Sequence, residues 1–178
     1  MRFDFVPMFK MVPSPRLLQR WIDRIRQYGW YIKVFVGPEE LPDTIATLRA
    51  ISAVPVVIDL MARLKPAPDG ARNPAQALVL DLLRRENFWV QLSNGVRMSA
   101  QARGRHDVVP VGQALYAAAP DRCLFGTDWP HTHSHNEGGG PPENELIAGR
   151  GGPASRPGRQ PGAVARIRVS REWGVGSE

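Results

Sequence analysis

Cysteine is almost absent from this sequence: Cys123 is the only one in 178 residues. An intrachain disulfide needs two cysteines, so none can form, and a reducing compartment is the default. Long apolar runs are absent as well, and none reaches the roughly 18 residues that a membrane-spanning helix needs. The first residues lack the basic start and small-residue cleavage site of a secretory signal. These absences predict a cytoplasmic protein with no membrane partner.

Other signatures that would define a function directly are missing too. No glycine-rich phosphate loop is present, so a nucleotide-binding site has no support. The net charge is +6, from 23 basic and 17 acidic residues. This excess permits an anionic substrate, but it is too small to predict nucleic-acid binding by itself.

What is present is an alternation of strand-like and helix-like patterns. Residues 16–28 repeat apolar side chains every three or four positions, with Ser14 as a candidate N-cap and Pro15 at the first helical position. Residues 54–60 form a continuous β-branched run, which is typical of a strand covered on both faces. The predicted strands are residues 2–6, 30–36, 54–60, 88–93 and 123–127, and the predicted helices are residues 16–28, 39–50, 73–85 and 107–119.

Strands separated by helices with short connections predict an α/β fold with a parallel sheet built from βα units. Right-handed crossovers leave two arrangements, an open doubly wound sheet or a barrel, and the pattern alone does not separate them. Five units would fill only part of an eight-unit barrel, which typically has about 250 residues.

The composition changes after residue 135. Residues 136–178 contain ten glycines and five prolines, with no clear period before residues 163–170. Such a segment buries too little apolar surface to fold by itself. We therefore expect a domain at residues 1–135 and an irregular tail at residues 136–178. Within the tail, we expect residues 136 to about 162 to be disordered or loosely attached to the domain.

Candidate functional residues follow the predicted strands, because in parallel α/β folds active groups collect at the carboxyl ends of strands. Asp128 has the chemistry of a general base or metal ligand, and equally of a residue that caps a turn. Asp59 follows the third strand, where a site role and a structural hydrogen bond both stay open. Arg97 follows the fourth strand and either grips a carboxylate or is a solvated loop arginine.

The histidines are too few to predict a metal centre. His131, His133 and His135 alternate, and histidines two apart on an extended segment can share a metal ion. Such a site needs a further ligand from another strand, and the only other histidine is His106, at the start of a predicted helix. We therefore predict no metal and no cofactor. Cys123 lies inside a strand and is interpreted as a small core residue.

Three segments resemble one family: "DRCLFGTDWPH" (residues 121–131), "VPVVIDLMAR" (54–63) and "FWVQLSNGVRMS" (88–99). They are similar to the later strands of the amidohydrolase-related family, specifically its 2-pyrone-4,6-dicarboxylate lactonase branch. The opening "RFDFV" and the segment "GWYIKVFV" lie in the expected order. The resemblance covers residues 1 to about 135, and it implies about the last five βα units of a TIM (β/α)8 barrel.

The resemblance also implies roles for individual residues. Asp128 matches the general base that activates water for attack on an ester or lactone carbonyl. Arg97 matches an arginine that binds a substrate carboxylate, and His131 belongs to the same last-strand motif as a further substrate-binding residue. The implied substrate is a small carboxylated lactone. The lactonase branch requires no divalent metal, whereas other branches bind zinc or manganese.

The match departs from the family at positions that carry chemistry. The family's carbonyl-polarising histidine falls at Leu60, and a family glycine falls at Ala62. Leucine has no hydrogen-bond donor and no charge, and losing one preorganised donor typically costs ~10²–10³ in rate. The chain also begins after the family's first-strand His-x-His pair, and Gly/Arg/Pro-rich sequence replaces the closing motif.

Three hypotheses follow from the sequence. The first is a hydrolase that cleaves a small carboxylated lactone or ester with Asp-activated water. The second is a truncated or frame-shifted remnant that keeps a partial fold without activity. The third is an Arg-rich nucleic-acid-binding module, which the tail disfavours because its six arginines and five glutamates leave only +1, and Trp173 is its one aromatic residue.

Overall fold

The computed structural model describes residues 1–7, 12–67, 73–101 and 106–128. Within these ranges strands and α-helices alternate, as the sequence pattern predicts. The strands are β1 (Arg2–Asp4), β2 (Ile32–Phe35), β3 (Val56–Ile58), β4 (Phe88–Leu92) and β5 (Cys123–Phe125), and the helices are α1 (Pro15–Ile25), α2 (Leu41–Arg49), α3 (Pro74–Leu83) and α4 (Val109–Ala118).

The helices begin where local hydrogen bonds favour a start. Ser14 caps α1 by accepting a hydrogen bond on Oγ from the Leu17 N–H at 3.3 Å. Asn73 caps α3 in the same way, with Oδ1 accepting from the Ala75 N–H at 2.8 Å. A proline stands in the first turn of each helix, where a missing N–H costs nothing. After α1 and a short 3-10 turn, Gly29 ends the helical segment at φ 64°.

The five strands form one parallel sheet in the order β1-β2-β3-β4-β5. A doubly wound sheet would reverse its strand order partway, whereas sequential order with right-handed crossovers places every helix on the same face. The core agrees with helices on one face, because Ile32, Val56 and Val90 of the strands pack with Ile22 and Leu82 of the helices. The α/β prediction is confirmed, and the order is that of part of a (β/α)8 barrel.

The opposite face of the sheet, called here the open face, carries no helix in the described part of the chain. Strand register aligns Arg2 with Lys33, Lys33 with Val57, and Val57 with Trp89 across it. Side chains alternate along a strand, so the next level of the open face holds Asp59 and its neighbours. In a closed barrel this face would line the interior.

The structure departs from the sequence prediction after β3. The strand predicted over residues 54–60 is shorter, Val56–Ile58, and a turn over Asp59–Arg63 follows it. Four successive residues of that turn have left-handed backbone angles, Leu60, Met61, Ala62 and Arg63, with φ of 48°, 51°, 54° and 54°. The apolar run over residues 54–60 predicted burial correctly, but burial alone does not specify whether the backbone is a strand or a turn. The segment leaves the sheet although its apolar side chains stay inside.

The predicted boundary at residue 135 and the irregular tail at residues 136–178 lie outside the described residues. Both remain predictions. In the part of the chain that the structure describes, no helix has the length and apolar character required to span a membrane.

Candidate active site

Strained backbone gathers at the carboxyl ends of three adjacent strands. Among the described residues, every non-glycine residue with positive φ follows β3, β4 or β5: these are residues 60–63, Asn94 at 58° and Asp128 at 58°. Left-handed backbone costs about 1–2 kcal/mol for an ordinary L-residue, although Asn and Asp bear it more easily. Strain of this kind clusters at functional sites. We therefore place the candidate site at this end of the sheet.

Asp128 comes after Gly126 and Thr127, the two residues that follow the last residue of β5, Phe125. It therefore lies at the carboxyl end of the strands, where the sequence predicts it. Its side chain is half-buried and accepts no hydrogen bond from any residue in the described ranges. Within the described ranges no hydrogen bond holds this carboxylate in a turn, so it can accept a proton from water. Its position therefore fits the role of a general base.

Arg97 lies in a 3-10 turn, Gly95–Arg97, directly after β4 and the left-handed Asn94. Its side chain is exposed and has no ion-pair partner among residues 1–7, 12–67, 73–101 and 106–128. The loop that carries it is anchored, because the Asp107 carboxylate accepts hydrogen bonds from Ser99 Oγ at 2.5 Å and from the Ala100 N–H at 2.8 Å. The Arg97 guanidinium therefore belongs to an anchored loop that follows β4, and β4 is the neighbour of the strand that Asp128 follows.

His131 lies outside the described residues, as do His133 and His135. His106 is exposed in a 3-10 turn before α4. Within the described ranges, no three His, Cys, Asp or Glu side chains are grouped so that they could hold a metal ion.

Asp59 is buried and ion-paired, which its position in the sequence did not reveal. Lys33 Nζ lies 3.0 Å from its Oδ1, and Arg2 Nη1 lies 3.4 Å from its Oδ2. Arg2 also donates from Nε to Asp4 Oδ1 at 2.9 Å. Arg2 and Lys33 had no signal in the sequence, because only strand register brings these distant positions together on the open face. Asp59 is thus a partner of cations and not a hydrogen-bond acceptor for the following loop.

An apolar group adjoins these charges. The Phe35 ring has the Arg2 guanidinium 4.7 Å from its centroid and the Arg63 guanidinium 5.7 Å from it. Phe35 also packs with Val6 and Leu60 in a small buried cluster that is separate from the main core. Leu60, where the family resemblance implies a histidine, is therefore a packed apolar residue, only 8% exposed.

Cys123 takes no part in the chemistry of this end. Its thiol donates to the Ala119 carbonyl at 3.3 Å, and burial raises the pKa of this thiol to about 11. A neutral, hydrogen-bonded thiol is a weak nucleophile.

The fold and these strand ends define a class of protein that sequence comparison identifies. A profile of the amidohydrolase family matches residues 1–150. Because that span is well over half of the 178 residues, the chain belongs to the amidohydrolase family. The resemblance stated from the sequence is confirmed.

Individual relatives are lactone hydrolases by name. The 4-sulfomuconolactone hydrolase of Rhizobium radiobacter is 30% identical over 147 residues, covering 82% of this chain and 48% of the relative. The 2-pyrone-4,6-dicarboxylate hydrolase of Comamonas testosteroni is 31% identical over 143 residues, covering 73% of this chain and 45% of the relative. The chain thus spans about half the length of the curated relatives it matches.

The fold is shared with solved structures. A candidate 2-pyrone-4,6-dicarboxylic acid hydrolase from Pseudomonas putida superposes with a TM-score of 0.64 and 24% identity, covering 78% of this chain and 51% of that one. At this identity the likeness shows the fold alone. Since the match takes in about half of the larger chain, the described sheet corresponds to part of a barrel.

Proposed function

We propose that this chain acts in the hydrolysis of a small carboxylated lactone or ester, with 2-pyrone-4,6-dicarboxylate as the model substrate. The proposal depends on the position of Asp128, which is half-buried and has no partner among the described residues. Asp128 follows β5, and the neighbouring strand β4 leads to Arg97. Membership of the amidohydrolase family and relatives named for lactone hydrolysis support the substrate class.

The reaction consumes one water molecule. Asp128 takes a proton from that water as its oxygen attacks the acyl carbon, and the bond between the acyl carbon and the ring oxygen then breaks. The released ring oxygen receives the proton, so the products are a carboxylic acid and a hydroxyl group on one open chain. General-base assistance of this kind typically contributes about 10²–10⁴-fold in rate.

Cations would bind the carboxylate groups of the substrate. Arg97 has a guanidinium free of described partners, and a guanidinium can grip a carboxylate through two parallel hydrogen bonds. His131 is proposed as a second contact, from its place in the last-strand motif alone. Arg2 and Lys33 already share Asp59, so they add positive potential to the open face more than they add free binding groups.

A second candidate function is binding of the lactone without turnover. Leu60 favours it, because this residue is packed against Val6 and Phe35 and has no group that could polarise a carbonyl. A chain of this kind would still hold a carboxylated ring through Arg97. It would correspond to the catalytically incomplete relative considered from the sequence.

The test measures hydrolysis of 2-pyrone-4,6-dicarboxylate by the purified chain, followed as loss of the pyrone ultraviolet absorbance. The comparison is between the wild type, Asp128→Asn and the control Asp121→Asn, which changes an exposed aspartate in the turn before β5. We expect Asp128→Asn to lose about 10²-fold or more in kcat with unchanged circular dichroism, and the control to keep its activity.

The result also separates the two candidate functions. Turnover that survives in Asp128→Asn would refute the general-base role. Wild-type protein that binds the pyrone in calorimetry but never opens it would establish the second candidate.

A further inference from the structure

Gln91 is a polar residue in the middle of the sheet that the mechanism above does not use. It belongs to β4, pairs in register with Leu124 of β5, and lies on the open face, because its neighbour Leu92 packs against the core under the helices. Its side chain is partly buried, and its carboxamide makes no hydrogen bond within the described ranges. An amide in that position can bond with water or with a bound ligand.

The carboxamide of Gln91 points toward the candidate site. A Cβ built on Gly126 would overlap Nε2 of Gln91 and lie 2.9 Å from its Cδ. The side chain therefore crosses from β4 to β5 and advances along the strands, from the level of Leu124 to that of Gly126. Asp128 follows two residues further along the chain. Glycine at position 126 makes room for this crossing.

Ser93 adds a second unpartnered group next to Gln91. It is only 1% exposed, and its Oγ has no hydrogen-bond partner in the described part of the chain. Strand alternation places it on the side of Gln91, and the Gly126 N–H donates to the carbonyl of the intervening Leu92 at 3.2 Å. A buried hydroxyl without a partner is uncommon and is an expected feature of a site that receives a ligand.

We infer that Gln91 and Ser93 donate hydrogen bonds to the acyl oxygen of the lactone, in place of the imidazole that Leu60 cannot supply. The inference rests on the proposed function and deepens it by assigning the carbonyl-polarising groups. The amide Nε2–H and the hydroxyl O–H are neutral donors, so they can follow a carbonyl oxygen as it gains negative charge. Gln91 lies in β4 and Ser93 directly follows it, and this strand lies between the one that precedes Leu60 and the one that leads to Asp128.

The experiment compares two ligands by calorimetry in the Asp128→Asn background, where we expect turnover to be about 10²-fold slower or more. 2-Pyrone-4,6-dicarboxylate has a ring carbonyl, and benzene-1,3-dicarboxylate has the same arrangement of two carboxylates without it. One neutral hydrogen bond is worth about fivefold to tenfold in affinity. We expect the pyrone to bind tighter than the benzene ring by about that factor for each donor, and Gln91→Leu and Ser93→Ala each to remove one such factor.

A selective effect distinguishes a carbonyl donor from a structural residue. Gln91→Leu should weaken the pyrone and leave benzene-1,3-dicarboxylate unchanged, and the carbonyl stretching frequency of the bound pyrone should rise toward its value in water. The control Gln113→Leu removes an exposed glutamine of α4 and should change neither ligand.

Every other outcome overturns the assignment. Equal weakening of both ligands by Gln91→Leu and Ser93→Ala would make the two residues structural. No change in either ligand would show that neither residue reaches the carbonyl, and the proposed function would stand without them. If neither ligand binds the parent protein, the proposed function fails as well.

Discussion

Replacing Gly126 by alanine tests the crossing of Gln91 without any ligand. The backbone of Gly126 lies outside the left-handed region, so alanine alone would stabilise the chain by about 0.4–1 kcal/mol through the unfolded state. The new methyl group would meet the Gln91 carboxamide, and overpacking of this kind costs about 1–3 kcal/mol. Because the obstacle is the far end of a flexible side chain, we expect a net loss of about 1 kcal/mol.

Removing the obstacle should reverse the sign. In a Gln91→Ala background the space beside Gly126 is empty, so Gly126→Ala should raise the free energy of unfolding by about 0.5 kcal/mol. The difference between the two backgrounds is a coupling energy of about 1–2 kcal/mol, well above the scatter of independent sites. Urea unfolding of the four proteins, followed by far-ultraviolet circular dichroism, measures it.

Gly29 provides the matched control for this cycle. Its φ of 64° makes alanine costly there by about 1 kcal/mol, whatever residue stands at position 91. Gly29→Ala should therefore lower stability equally in both backgrounds. If Gly126→Ala also costs the same in both, Gln91 does not fill the space beside Gly126, and the geometry behind the carbonyl-donor assignment is refuted.

Two further predictions concern polar groups away from the site. Burial raises the pKa of Cys123 to about 11 from an ordinary 9.0, so iodoacetamide should alkylate the folded chain about a hundredfold more slowly at pH 8 than the urea-unfolded chain. The contribution of this thiol to stability should be complete below pH 9 and lost toward pH 11, because the folded state holds the proton more tightly. Equal alkylation rates in the two states would contradict the raised pKa. Asn87→Ala should cost about 1–3 kcal/mol in urea unfolding, because Nδ2 donates to the carbonyls of Ile51 at 2.9 Å and Val54 at 3.4 Å; a loss near zero would show that neither bond matters.

The apolar pattern of the sequence predicted the helices and strands well, because the interactions that favour them lie within a few residues of each other. The helix expected over residues 16–28 appears as Pro15–Ile25 with a 3-10 turn to Tyr28, and the strand expected over residues 88–93 appears as Phe88–Leu92. Apolar spacing, a capping serine and a terminal glycine all act within a few residues of each other. The choice between barrel and doubly wound sheet depends on strand order, which no short window contains.

The candidate site was predictable only in part for the same reason. Asp128 and Arg97 were candidates because each lies within a few residues of the end of a recognisable strand, and their roles stay predictions. The partners of Asp59 were not, since Arg2 and Lys33 reach it through register across two neighbouring strands. The meeting of Gln91 with Gly126 likewise joins residues that are distant in sequence.

Polar residues inside the strands nevertheless carried information about which face is open. Lys33 alternates with buried Ile32 and Val34, and Gln91 alternates with buried Val90. If helices covered both faces of the sheet, each of these polar groups would have to be buried with a full set of partners, at a cost of several kcal/mol where one was lacking. A helix layer on one face removes that cost and leaves the polar side chains facing the interior of a barrel. The alternation in β2 and β4 therefore argues, together with strand order, that this sheet is singly wound. It also assigns the amide of Gln91, which has no partner in the described ranges, to the face where a substrate would lie.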